Sequence, residues 1–333
     1  MSVETTSRTR EAGGTCLTVN LMTYLSATEA DPDGRVARSV RLAVRTDEPG
    51  GLLAFSHHRY SLGHLSDGRR LAYRAAQDTA TLVRELREQS RRDSGVLIVT
   101  YAGAMPWSLA DRNDSAPHLV RVTAAADDHW QVDDAFSALL PAGRQEPFRG
   151  RITTTELIRS MSAPRELEPE QLLRLTHAFG DTTVVPGEHR FLWVAPEDAD
   201  RQPQMPEPPS WSTGLPEVLT YLSGFFCALP EHPQRERHID DLWAAAQHHA
   251  VRYTHLLDEH DLGAEDRDRA EQALIAWTNL PMSLHFAADS ARRGRPRAAL
   301  VRTAFAAIAD AEDRCAPLLA RLGYLPDTQF APV

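Results

Sequence analysis

The chain carries one thiol, one imidazole and one carboxylate placed where they could serve acyl transfer. Cys16 follows Gly13-Gly14-Thr15 at the head of an apolar stretch, and His118 opens the run Pro-His-Leu-Val-Arg-Val at residues 117–122. Asp133 and Asp134 close the next run, Trp-Gln-Val-Asp-Asp at 130–134. In such chemistry a thiolate attacks a carbonyl carbon and an imidazole takes up and returns the proton. A carboxylate holds the imidazole in one tautomer and stabilises its cation. The other two cysteines, Cys227 and Cys315, sit in helical patterns and read as core or interface thiols.

These groups need elements to hold them. Leu17, Leu21, Tyr24 and Leu25 recur at helical spacing, which puts Cys16 in the first turn of a helix. Amide N–H groups without helical acceptors and the helix dipole lower a thiol pKa there and offer a donor to an oxyanion. Residues 96–101, 117–122 and 130–136 are short runs rich in β-branched and aromatic residues, bounded by Gly, Pro, Asn and Asp, and predict three adjacent strands. A tight polar turn at 124–129 makes the second and third antiparallel, so His118 comes beside the end that carries the two aspartates. Side chains alternate along a strand, so Asp133 and Asp134 face opposite ways and only one can reach His118.

Further residues are candidates for the walls of the cleft. Asn20 lies four residues after Cys16, on the same helical face, and either lines the cleft or caps a loop beneath it. Met105-Pro106-Trp107-Ser108 should pass over the cleft, where Trp107 either walls an acyl pocket or packs on its own loop. Residues 50–60 read as a turn and a short strand whose polar end, His57-His58-Arg59-Tyr60, approaches the cleft, making His58 and Tyr60 substrate-binding candidates. His57 and His58 are adjacent and point to opposite sides of a strand, a poor metal pair. His248, His255 and Glu259 recur along one helix face and read as its polar side rather than as ligands. No metal is expected.

At 333 residues the chain is long for one core and comfortable for two domains. Its formal charge of −10, with 42% hydrophobic residues, fits an ordinary soluble protein and argues against a nucleic-acid surface. Three cysteines without a disulfide framework or metal spacing fit a reducing compartment. Without an export-type leader or a long apolar run, a cytoplasmic protein that neither spans nor binds a membrane is expected.

The expected organisation is a flexible N-terminus at 1–12, a catalytic domain at 13–195, a linker at 196–211, an α-helical domain at 212–325 and a tail at 326–333. The linker assignment rests on Pro196, Pro203, Pro206, Pro208 and Pro209 among polar residues. Within the catalytic domain, residues 27–50 look loop-rich and 67–92 read as one amphipathic helix. A Pro-Gly-rich loop follows Phe136, then helices at 156–161 and 169–179 and a strand at 190–194. Four helices at 216–229, 239–260, 264–288 and 296–322 suggest a bundle, with a break at Pro281.

The order Cys, His, Asp resembles the papain-like peptidases that trim bacteriocin leaders. It resembles more closely a biosynthetic branch of that fold, the butirosin-type aminoglycoside acyltransferase family. The matching stretches are Thr-Cys-Leu-Thr-Val-Asn-Leu-Met (15–22), Met-Pro-Trp-Ser (105–108), His-Leu-Val-Arg-Val (118–122) and Val-Asp-Asp-Ala (132–135). The resemblance covers residues 12–195 by motif and favours Asp134 over Asp133. It departs at Ala135, where Pro is usual, at Trp107, where Tyr is common, and at Arg10, where the peptidases carry an oxyanion-binding glutamine. The last departure weakens the peptidase reading most.

The resemblance implies an α+β chain: a papain-like cysteine-protease fold, with an N-terminal helix carrying Cys16 packed on an antiparallel sheet, followed by the α-helical bundle. It implies a Cys16-His118-Asp134 triad and no cofactor beyond a donor's phosphopantetheine arm. The expected partners are an acyl or peptidyl carrier protein and a small-molecule acceptor, with a homodimer as one arrangement open to the chain. The acyl group would pass to an amine, or to an internal nucleophile in a cyclisation. The alternatives are a cysteine peptidase or amide hydrolase on the same triad and a non-catalytic scaffold. An acidic protein that meets an acidic carrier needs a local basic patch, and Arg87, Arg91 and Arg92 at one helix end are the expected docking site.

Overall fold

A computed structural model describes residues 14–93, 95–126, 128–140, 143–162, 164, 167–187, 189–198 and 211–324. The expected flexible N-terminus, the tail and residues 199–210 of the proline-rich linker lie outside these residues. The chain is of α+β type and divides into two compact units. Among the described residues one comprises 14–32 and 61–198, the other 33–60 and 211–324.

In chain order the elements are α1 (Cys16–Leu25), α2 (Pro32–Ser39), β1 (Val40–Arg45), β2 (Ala54–His58), β3 (Arg69–Ala76), α3 (Thr79–Arg92), β4 (Val96–Tyr101), β5 (Pro117–Ala124), β6 (His129–Asp134), β7 (Ala138–Leu140), β8 (Gly143–Gln145), β9 (Phe148–Thr153), α4 (Thr154–Met161), α5 (Pro169–Thr176), β10 (Phe191–Asp198), α6 (Leu215–Cys227), α7 (Ile239–Glu259), α8 (Ala264–Arg292) and α9 (Ala298–Arg321).

The first unit is built on a six-stranded antiparallel sheet in the order β3-β10-β4-β5-β6-β9. Val96, Ile98, Val120, Val122, Trp130, Val132 and Phe191 form a buried core with Leu82 and Leu86 of α3 and Leu157 and Met161 of α4. Leu97, Val99 and Leu119 point to the opposite face by alternation, and α1 packs across β5, β4 and β6. Both long helices of this unit begin at side-chain caps. Thr15 Oγ1 accepts from the Thr18 amide at 3.2 Å ahead of α1, and Asp78 accepts from the Thr81 amide at 2.8 Å ahead of α3. A reciprocal Thr153–Glu156 capping box starts α4 two residues ahead of the expected 156.

The second unit holds α6 to α9, with α7 packed on α8, α8 on α9 and α9 on α6. The hairpin-like pair β1-β2 packs against α7. Among the described residues no helix is long and apolar enough to cross a membrane.

Five expectations are corrected. Residues 67–92 are not one helix: Leu71 and Tyr73 bury one face of β3, and Asp78 caps a separate helix. The stretch 27–50 contains α2 and β1. Residues 33–60 cluster with the C-terminal helices, so 13–195 is not one continuous domain; apolar Val40, Leu42, Ala43 and Val44 are buried in the other unit. Helix α8 continues through Pro281, and β7, β8 and β9 occupy the expected loop after Phe136.

Candidate active site

Cys16, His118, Asp134, Asn20 and Trp107 all belong to the sheet unit and come together at one end of it. Cys16 is the first residue of α1, partly buried, with Sγ 4.0 Å from the carbonyl oxygen of Pro117. The Thr18 amide is taken by the Thr15 cap and the Val19 amide by the Thr15 carbonyl. The amides of Cys16 and Leu17 have no acceptor within a helix that starts here, so they are the donors available to a developing oxyanion.

His118 Nε2 lies 2.9 Å from Asp134 Oδ2. With Nε2 engaged, Nδ1 is the nitrogen that meets the Cys16 sulfur, in the manner of a base held by a third group. The register of β5 with β6 pairs Arg121 with Asp133 and Val122 with Val132, which sets Asp134 diagonally across from His118. Asp133 points the other way and meets Arg121 at 3.5 Å and Arg149 at 3.3 Å. Alternation thus separates the two aspartates as expected.

Asp134 is 2% exposed and saturated with donors. Oδ2 accepts from His118 and from the Trp107 indole at 2.9 Å; Oδ1 accepts from Asn20 Nδ2 at 2.9 Å and from the Phe136 amide at 3.1 Å. Burial disfavours its charge, but the His118 cation and these hydrogen bonds outweigh burial and hold the carboxyl below the usual carboxylate range. Burial likewise opposes charge on Cys16 and His118. For the thiol, the His118 charge, its hydrogen bond and the Leu119 backbone win, so its pKa falls below the ordinary value. For the imidazole, the Cys16 and Asp134 charges win and lift it well above its ordinary value. The opposite shifts describe a thiolate–imidazolium pair.

Asn20 and Trp107 hold the triad rather than form an open wall. Asn20 is buried, donates to the Leu119 carbonyl at 2.7 Å and accepts from the Ala135 amide at 2.8 Å, so it pins α1 to β5 and to the end of β6. Trp107 stacks on Phe148 with ring centroids 4.8 Å apart and planes 6° from parallel. A Cβ on Gly150 would lie 2.5 Å from the Phe148 ring, so the stack relies on glycine there. Gln145, which accepts from the Leu109 amide at 3.0 Å, ties down the same loop. Phe136 meets the His118 ring edge to face at 5.2 Å.

His58 and Tyr60, the two remaining residues expected at the cleft, belong to the other compact unit. His58 is buried, with Nδ1 2.7 Å from Ser39 Oγ and its ring edge-on to His248. The Tyr60 hydroxyl donates to the Arg35 carbonyl at 2.7 Å. On the polar helix side of His248 and His255 both are buried: His248 bonds the Ala244 carbonyl and His255 the Tyr324 hydroxyl. Among the described residues no group of three or more His, Cys, Asp or Glu is placed to hold a metal ion.

Tyr73 was missed because residues 67–92 read as helix. Burial, and secondarily the charge of Cys16, raise its phenol, which places it near the sulfur, and its hydroxyl donates to Leu175 at 3.0 Å. Phe148 and Gly150 carry no local signal, since β9 becomes the neighbour of β6 only through the sheet order. The arginines expected to dock a carrier stand at the other end of β4 from His118. The C-terminal end of α3 leads into Val96, whereas His118 pairs with Thr100, four residues or about 14 Å along β4. Arg87 there already meets Asp128 and lies over the Trp130 ring.

No protein-family model matches the chain, and a search of curated proteins returned no match.

Proposed function

We propose that the chain is a cysteine-dependent acyltransferase on a papain-like catalytic unit. The observation that carries this reading is the continuous bonded series from Cys16, at a helix start, through His118 to Asp134. A nucleophile-bearing helix laid on an antiparallel sheet that carries the base and its carboxylate is the arrangement the papain-like resemblance leads one to expect.

The donor is an acyl thioester on the phosphopantetheine arm of an acyl or peptidyl carrier protein. The Cys16 sulfur bonds to the acyl carbon, the donor C–S bond breaks, and His118 gives its proton to the departing thiolate. The nitrogen of an acceptor amine then bonds to the acyl carbon and yields a proton to His118, and the Cys16 thiolate leaves. Thioester exchange is close to thermoneutral, so positioning and generation of thiolate and free amine carry most of the catalysis. An internal nucleophile on the acyl chain would give a ring by the same steps.

Intact-mass measurement after mixing with acyl N-acetylcysteamine thioesters tests the reading. The expected result is one acyl adduct on Cys16, absent in Cys16→Ala and discharged faster by amines than by water. Discharge by water alone at the same rate gives the hydrolase instead. No adduct with either soluble or carrier-bound donors leaves a scaffold.

A further inference from the structure

Helix α8 presents Ile275, Met282 and Phe286 to solvent, 57, 68 and 50% exposed. The buried side of the same helix, Ala270, Ala273, Trp277, Leu280, Leu284, Ala287 and Ala288, is fully used against α7 and α9. The exposed apolar residues are therefore not spillover from the core. With Asp268, Glu271, Asn279, Asp289 and Arg293 they follow spacings of three and four, the stripe of a helix that packs against another helix.

The stripe is self-complementary. Laid antiparallel on a copy of itself about an axis between Leu280 and Pro281, it sets Ile275 against the partner's Phe286 and Asn279 against the partner's Met282. The same register sets Asp268 against the partner's Arg293 at both ends. The acidic first turns of α8, with Glu265, Asp266 and Asp268, thus meet the basic exit, with Arg292, Arg293, Arg295 and Arg297. Antiparallel alignment also opposes the two helix dipoles. Pro281 is buried and so does not obstruct the contact. Arg297 lies 6.0 Å from the Phe286 ring centroid and flanks the apolar centre.

We infer that this face of α8 is a two-fold homodimer interface formed by antiparallel α8–α8 packing. A twofold contact needs one patch that complements itself, which this stripe does in both apolarity and charge. Two helices meeting over about seven turns bury a modest area, so the dimer is a weak one that forms at micromolar concentrations.

Sedimentation velocity of the full chain over a wide concentration range tests this, with far-ultraviolet circular dichroism to confirm that each variant is folded. The expected result is a reversible monomer–dimer equilibrium that Met282→Glu abolishes. Asp268→Arg alone and Arg293→Asp alone should each weaken the dimer about tenfold, because every dimer carries the contact twice, and the two together should restore it. A monomer throughout overturns the inference, as does a dimer indifferent to Met282→Glu. Charge reversals that add rather than compensate overturn the antiparallel register. A monomer in which Met282→Glu impairs only carrier-bound donors gives the stripe to a carrier protein and also overturns self-pairing.

Discussion

Replacing Asp134 by asparagine keeps the shape of the side chain and reverses half of its hydrogen-bonding capacity. The carboxylate accepts from His118 and Trp107 on one oxygen and from Asn20 and the Phe136 amide on the other. Whichever way the new amide is turned, its NH2 faces two donors. Facing Oδ1's partners, it opposes Asn20, whose own amide is locked by Leu119 and Ala135, and a backbone N–H. Facing Oδ2's partners, it opposes the Trp107 indole and drives the His118 proton from Nε2 to Nδ1, the nitrogen that must accept the Cys16 proton. Each buried donor left unsatisfied costs about 1–3 kcal/mol, so with two of them the variant should lose about 2–6 kcal/mol of stability. Loss of the correct tautomer should lower the acylation rate by about 10⁴. Rapid-quench intact-mass kinetics of Cys16 acylation measure the second effect and urea denaturation the first. Asp133→Asn is the control: its arginine pairs are partly exposed and worth no more than about 1 kcal/mol. An Asp134→Asn protein that acylates within tenfold of the parent, or an Asp133→Asn protein that is the worse of the two, refutes the reasoning.

Cys16 should alkylate faster than Cys227 and Cys315 and retain that advantage as pH falls below the ordinary thiol range, since His118 favours its thiolate; Cys315, pushed up to about 12 by burial and Glu312, should be the slowest. Mass-spectrometric alkylation rates from pH 5 to 9 check the order. Trp107→Phe keeps the stack on Phe148 but removes the donor to Asp134, so acylation should slow by about tenfold, with a cost of about 1 kcal/mol in a denaturant titration. Gly150→Ala should displace Phe148 and slow acylation through loss of the stack, and Phe148→Leu, which removes the stacked ring outright, should slow it to a like extent. In the helical unit, burial holds His248 and His249 at about 4, below the unfolded value near 6.5. Their neutral forms stabilise the fold above pH 6.5, and that stability should drain away as pH falls through 4; thermal melts at stepped pH measure it.

Much of the site was legible because strand alternation and residue order are local properties. His118 at a strand head and Asp134 at the end of the next follow from two short runs and one turn, and the helical start at Cys16 from four apolar residues. The environment of Asp134 was not legible, since Trp107, Asn20 and Phe136 converge on it from three elements and only the tertiary register sets the distances. β3 was hidden because Arg-Arg-Leu-Ala-Tyr-Arg-Ala-Ala is composed largely of good helix formers, and pairing with β10 overrides that preference. The allegiance of β1 and β2 was hidden for another reason: their burying partners lie some two hundred residues further on.

That allegiance bears on how the protein can be cut and how it is made. The chain passes from the sheet unit to the helical unit, returns, and leaves again, so each unit is assembled from two separate lengths of polypeptide. Trimming away everything after residue 206 would strip the cover from Val40, Leu42, Val44 and Phe55 and leave an insoluble remnant. An isolated sheet unit requires excision of 33–60 as well, with Pro32 joined to Ser61 by a linker. On the ribosome, α1 emerges about a hundred residues before the strand that carries its histidine, and β1 and β2 wait longer still for α7. The newly made chain therefore spends much of its synthesis with its nucleophile already in place and its base not yet translated.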